Sequence, residues 1–140
     1  MSLLPLPVPD IFLYSIAAAA ILIYAPFLLV AYARVQIGYE MLSAPRAMFD
    51  KLPAYAQRAT WAHQNSFEAF MIFSAAALMA YVTGVNSQSA VTAAIAFVLA
   101  RLLYSVFYIA NIPILRSLMF GLGSFSSATL FYLSIVISIK

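Results

Sequence analysis

The chain reads as four long apolar stretches separated by short polar breaks. Residues 11–33 (IFLYSIAAAAILIYAPFLLVAYA) carry no charge. Residues 69–83 are also uncharged and continue a helix that already contains Glu68; residues 88–112 are interrupted only by Arg101, and residues 117–139 carry no charge. With its flanks, each stretch reaches the ~20 residues a helix needs to cross about 30 Å of hydrocarbon. The pattern predicts an all-α integral membrane protein, a four-helix transmembrane bundle with helices at about 10–36, 53–82, 88–112 and 117–139. One domain over 1–140 leaves almost nothing for a soluble unit.

Local signals place the ends. Asp10 reads as an N-cap for the first helix, and Pro26 falls inside it, where a kink is expected. The first stretch has no basic residue before it, is too long for a signal core and shows no cleavage site, so it reads as a retained helix. The one long connection, IGYEMLSAPRAMFDKLP (37–53), holds Glu40, Arg46, Asp50 and Lys51, and Asp50 with Pro53 reads as the start signal of the second helix. Asn111–Ile112–Pro113 closes the third. The fourth helix is rich in small residues, with Ser117/Gly121 and Gly123/Ser127 each four apart, a spacing that lets helix backbones approach closely in lipid.

Composition agrees with a membrane solvent. Of 140 residues, 66% are hydrophobic and 8% charged, with a mean hydropathy of +1.00, against roughly 25% charged in soluble domains. Arg34, Arg46, Lys51 and Arg58 lie between the first two helices and Arg116 between the last two, while the 82–89 turn is uncharged. The positive-inside rule then puts both basic connections in the cytoplasm and both termini outside it, as in a multi-pass membrane protein. The net charge of +3 forms no basic stripe and implies no nucleic-acid partner. Without cysteine there is no disulfide, thiolate metal site or protein thiol nucleophile, and a single histidine, His63, argues against a metal centre.

The polar residues inside the apolar stretches carry the chemistry. Arg58, Trp61, Asn65 and Glu68 are spaced 3, 4 and 3, and Arg101, Tyr104 and Tyr108 are spaced 3 and 4, so each set occupies one helix face. Two polar stripes face each other or a shared cavity. Glu68 lies ten residues from Arg58, roughly 15 Å, and Arg101 is about as far from the end of its own helix, which places the two charges at similar depth. An unpaired charge there costs about 3 kcal/mol or more, so Glu68 is expected to pair with Arg101, within a protomer or across a subunit boundary. Nearer the cytoplasm, Tyr108, Arg116, Ser117, Arg58 and Arg34 can face one pocket. Arg116 and Ser117 stand at the start of the fourth helix, where free N–H groups and the dipole favour an anion. Such a cluster suits a small ligand bearing carboxylates. The plainer reading of Arg34 and Arg58 is snorkelling to the headgroups, and that of Arg46 and Lys51 is topology.

The stretch RATWAHQNSFEAF, followed by ARLLYSVFYIANIPILRS, resembles the MAPEG family, the membrane-associated proteins in eicosanoid and glutathione metabolism, with its bacterial and cyanobacterial branch the nearest in pattern. The resemblance covers essentially the whole chain. It implies a homotrimer that binds glutathione in a polar site between subunits and takes lipophilic small molecules from the lipid bilayer. Carried over by residue, Arg34, Asn65, Glu68, Arg101 and Tyr108 resemble glutathione contacts, with Arg58 and Tyr104 on the same stripes. Arg116 resembles the arginine that stabilises the thiolate, with Ser117 its neighbouring hydroxyl. The implied activity is a glutathione transferase or peroxidase acting on lipophilic electrophiles or lipid hydroperoxides. Trp61 and Gln64 stand where related enzymes often carry basic residues, and Phe120 stands near a position that is tyrosine in some. These departures fit an alternative, a non-catalytic lipid-binding or scaffold member. A channel or transporter, the third reading, lacks the repeated halves such folds show.

Overall fold

The structure is a computed structural model describing residues 6–140; the first five residues of the domain expected over 1–140 lie outside the described residues. In chain order the helices are α1 (Val8–Ile37), the short α2 (Tyr39–Ser43), α3 (Ala54–Val82), α4 (Gln88–Ile109) and α5 (Pro113–Ser138). All but α2 are long and apolar enough to cross a membrane. At 30 and 29 residues, α1 and α3 run roughly 45 Å and exceed the hydrocarbon thickness. The surplus of α3 falls in its polar N-terminal third.

The helix ends differ from expectation where backbone chemistry overrides the charge pattern. Pro7 occupies the N-cap of α1 and Asp10 sits inside the first turn, where its carboxylate still favours the helix dipole. α4 stops at Ile109 rather than near 112, because Asn111 takes a left-handed φ of 60°. Ile112 N–H then bonds Phe107 O at 2.9 Å and Asn111 N–H bonds Tyr108 O at 3.1 Å, the paired closure of a Schellman motif. α5 starts at Pro113, four residues before the uncharged run begins, since proline fits the first helical position and lacks the N–H that would go unused there. Gly84, with φ 72°, closes α3 in the same manner, and Ser87 Oγ accepts from Ala90 N–H to cap α4.

α3 and α4 form the centre of the bundle, with α1 packed on both and α5 on both. The inward face of α3 is almost all small: Ala56, Ala59, Ala62, Ser66, Ala76, Ala77 and Ala80. Close backbone approach follows, with van der Waals packing as the driving force in lipid. Phe73 is the large exception and stacks on Phe97 of α4 at 3.8 Å between ring centroids. These two rings anchor an apolar core at the end holding the α3–α4 turn. A second core at the opposite end gathers Val30, Ala33, Ala56 and Ala59 with Met41 and Leu52 of the connection. The connection therefore folds back through α2 and a 3-10 turn at Phe49–Lys51 rather than hanging free. On α5, Gly123 and Ser127 are buried while Gly121 and Ser117 are exposed, so only one of the two small-residue pairs packs inside the protomer. Ser126, Ser127 and Ser134 each donate to a carbonyl one turn back, so their burial leaves no hydroxyl unpaired. Between the two apolar cores lies a layer of polar side chains.

Candidate functional site

A cleft of ≈ 270 Å³ opens between α3, α4 and α5. Its polar end holds Asn65, Glu68 and Arg101; its apolar end is shaped by Phe97, Phe120 and Phe131 around Gly123 and Ser127. A second lobe of ≈ 270 Å³ joins Asn65 to Tyr104, Tyr108, Arg116, Ser117 and Phe120. An open shelf beyond it is lined by Trp61, Gln64, Asn65, Glu68 and Tyr108. Asn65 borders all three, so they are lobes of one depression. The two polar stripes of the sequence face each other across it.

Arg101 forms the floor and is only 4% exposed. One of its η-nitrogens donates to Asn65 Oδ1 and to Ser66 Oγ, both at 3.1 Å. Its guanidinium also lies 4.0 Å from the Tyr104 ring centroid. The expected direct bond from Arg101 to Glu68 is replaced within the protomer by a relay: Asn65 accepts from Arg101 and its amide nitrogen approaches Glu68 Oε2 at 3.5 Å. Equal depth along the bundle brought both charges to the same cleft, but Asn65 stands between them. Glu68 itself is exposed on the protomer surface, so water or a ligand reaches its carboxylate without a buried ion pair being broken.

Above the floor, three aromatic rings lie between Arg101 and a second cation. Tyr104 and Tyr108 meet edge to face at 5.5 Å, Phe120 lies 6.4 Å from Tyr104, and the Arg116 guanidinium sits 4.6 Å from the Tyr108 ring centroid. A cation held over a ring face is drawn to its quadrupole, so Tyr108 aims Arg116 across the lobe. Arg116 lies one turn into α5 rather than at its first residue, and its own N–H already bonds Ile112 O at 3.1 Å. Its contribution is therefore the side-chain charge, while free backbone N–H groups belong to the residues just before it.

Within the protomer, Arg34 and Arg58 line none of these lobes. Arg58 donates from Nε to Ile109 O at 2.9 Å, capping a carbonyl that the end of α4 leaves open. Arg34 lines a separate cleft of ≈ 490 Å³ between α1, the connection and α3, together with Arg46, Phe49, Thr60 and His63. Trp61 and Gln64 border both clefts and form the ridge between them. His63 does not reach a ligand through Nδ1, which bonds Ile23 O at 2.7 Å near Pro26. Ser66 and Ser105 were not anticipated from the sequence. Ser66 binds Arg101, and Ser105 Oγ and Arg101 Nε are buried without a hydrogen-bond partner. The only signal for Ser105 is its place one turn beyond Arg101; Ser66 lies off the Asn65 stripe and has none. Among the described residues no group of three or more His, Cys, Asp or Glu is placed to hold a metal ion.

Comparison with known proteins adds one result to this geometry. Residues 11–136 match the family model described as MAPEG family. No curated protein and no solved structure matches the chain.

Proposed function

The chain belongs to the MAPEG family, and from that premise we propose that it is a glutathione-dependent transferase or peroxidase acting on lipophilic electrophiles or lipid hydroperoxides. The observation that carries the reading is the contact series Arg101, Tyr104, Tyr108, Arg116, two cations bracketing two rings, beside a cleft whose far end is apolar. The donor set fits the tripeptide. Glu68 offers an accessible carboxylate for an ammonium group, Asn65 an amide for a peptide bond, and Ser117 a hydroxyl beside Arg116.

When bound, glutathione supplies the thiol nucleophile that a chain without cysteine lacks. Arg116 holds a fixed positive charge over the lobe, which favours a thiolate and stabilises negative charge there. Tyr108 limits the directions that guanidinium takes, and Arg101 fixes the orientation of the Asn65 amide. Phe97, Phe120 and Phe131 make that end of the cleft apolar, which suits a lipophilic co-substrate entering from the bilayer. We extend the proposal to a homotrimer of the bacterial branch, with the basic connections in the cytoplasm and both termini outside it.

Calorimetry on the folded, purified oligomer tests the reading. Glutathione is expected to bind with an ultraviolet thiolate band that Arg116→Ala abolishes and Arg46→Ala preserves. Absence of binding refutes it. A second reading, a non-catalytic lipid-binding member, draws on Trp61, an exposed aromatic at the rim. Conjugation of a generic electrophile above the rate without protein counts against that alternative.

A further inference from the structure

α1 is seated in two separate apolar cores. Ile11, Phe12 and Ala19 belong to the one at the α3–α4 turn, and Val30 and Ala33 to the one that includes Met41 and Leu52. Pro26 lies between the two halves and is buried. It has no N–H for Leu22 O, so one rung of the helical ladder is missing where the halves meet. α1 nevertheless stays helical from Val8 to Ile37. In hydrocarbon, neighbouring helices help to satisfy the backbone that such a break sets free.

α3 reaches this break through His63. Its Nδ1 lies 2.7 Å from Ile23 O, at the short end of the range for N–H···O bonds. A carbonyl oxygen only accepts, so Nδ1 carries a proton and the bond selects one tautomer of the ring. Among the described residues this is the one hydrogen bond from α1 to another helix. Three rings surround the joint. Tyr24 and Phe27, on either side of Pro26, and Phe67 of α3 stand 5.8, 5.2 and 5.4 Å from the imidazole centroid. Ring pairs remain favourable over centroid separations of about 4.5–7 Å, whereas a hydrogen bond weakens steeply once bent. The bond, more than the packing, therefore fixes the angle.

We propose that Pro26 is a hinge in α1 and that His63 latches it, holding residues 27–37 at a set angle to residues 8–22. The segment beyond the hinge carries Arg34, so the latch also sets where that cation stands against α3. The hinge needs no bound ligand, so it and the proposed function can fail separately.

His63 is the sole histidine in the chain, so labelling histidine with nitrogen-15 reports this ring alone. In the untagged oligomer in nanodiscs, NMR is expected to find the neutral ring protonated at Nδ1 and bare at Nε2; the opposite tautomer overturns the proposal. Hydrogen exchange followed by mass spectrometry reads each half of α1. His63→Phe keeps a ring and loses the donor. It is expected to speed exchange in residues 27–37 by roughly three- to tenfold, as an interhelical hydrogen bond in a membrane implies, and to leave residues 8–22 unchanged. His63→Asn places an N–H where Nδ1 stood and is expected to restore most of the protection. Pro26→Ala returns the missing N–H, and in that background His63→Phe is expected to change exchange by less than about twofold. No acceleration, equal acceleration of both halves, no rescue by His63→Asn, or a full effect in Pro26→Ala overturns the proposal. Circular dichroism checks that each variant is folded. If His63→Phe is not, the tautomer of the native ring and slower exchange beyond residue 26 in Pro26→Ala carry the test, and the absence of either overturns the proposal.

Discussion

Ser66→Ala isolates the contact that holds the cleft floor. Arg101 and Ser66 are 4% and 5% exposed, and one η-nitrogen donates to Ser66 Oγ and Asn65 Oδ1, both at 3.1 Å. A hydrogen bond to a charged partner contributes about 1.5–3 kcal/mol in water-soluble proteins. Interhelical hydrogen bonds in membranes average nearer 0.6 kcal/mol, with a maximum of about 1.7, because the unfolded chain also finds partners there. This bond belongs at the upper end of that range, since among the described residues Arg101 Nε lacks a partner and Ser66 is one of two hydrogen-bond acceptors of the guanidinium. The expected loss is about 1–1.7 kcal/mol. Reversible unfolding in mixed micelles, titrated with a denaturing detergent and followed by circular dichroism, measures it. The cycle with Arg101→Met sharpens the test: without the guanidinium, the Ser66 hydroxyl can turn to its own helix, and Ser66→Ala becomes nearly neutral. A single-variant loss or a coupling energy below about 0.5 kcal/mol would refute the assignment of Arg101 to this pair of acceptors.

Arg58→Met removes the bond to Ile109 O and is expected to cost about 1 kcal/mol while leaving glutathione affinity within about twofold; calorimetry on the folded variant separates a capping role from a binding one. Gly123→Ala places a Cβ 3.7 Å from Phe97 Cδ2 and 3.8 Å from Arg101 Cδ, ordinary contact distances. Stability is therefore expected to hold or to rise by up to about 1 kcal/mol from helix propensity. The narrowed apolar end should raise KM for the lipophilic co-substrate and leave KM for glutathione unchanged, and steady-state kinetics with each substrate varied in turn would expose the reverse pattern.

Much of this architecture was legible because spacing translates directly into geometry. The residues Asn65 and Glu68, and Arg101, Tyr104 and Tyr108, share faces at any helical pitch near 3.6, and the small face of α3 lets those stripes meet. What was not legible has physical reasons too. Depth along a bundle locates two charges on one level but not the side chain between them, so Asn65 emerged as the link that Glu68 and Arg101 were expected to make directly. Ser66 follows Asn65 by about 100° around the helix and carries no pattern of its own. Arg34 is recognisable as a helix-end cation, but nothing in its spacing says on which side of α3 it lies. The start of α5 was placed by the charge of Arg116, whereas Pro113 decides it through the backbone.

The tight turn between α4 and α5 has a consequence for assembly. Tyr108 and Arg116 are eight positions apart and joined through a closure whose backbone hydrogen bonds lie between residues 106 and 112. Arg101 and Asn65, by contrast, are 36 positions apart and depend on two helices having already docked. Closing a short loop has a low entropic cost, so the Tyr108–Arg116 half of the cleft forms with the hairpin itself. The Asn65 half requires the finished bundle. In a newly inserted or partly dissociated protomer the cation is thus already aimed before the amide and carboxylate that face it have arrived.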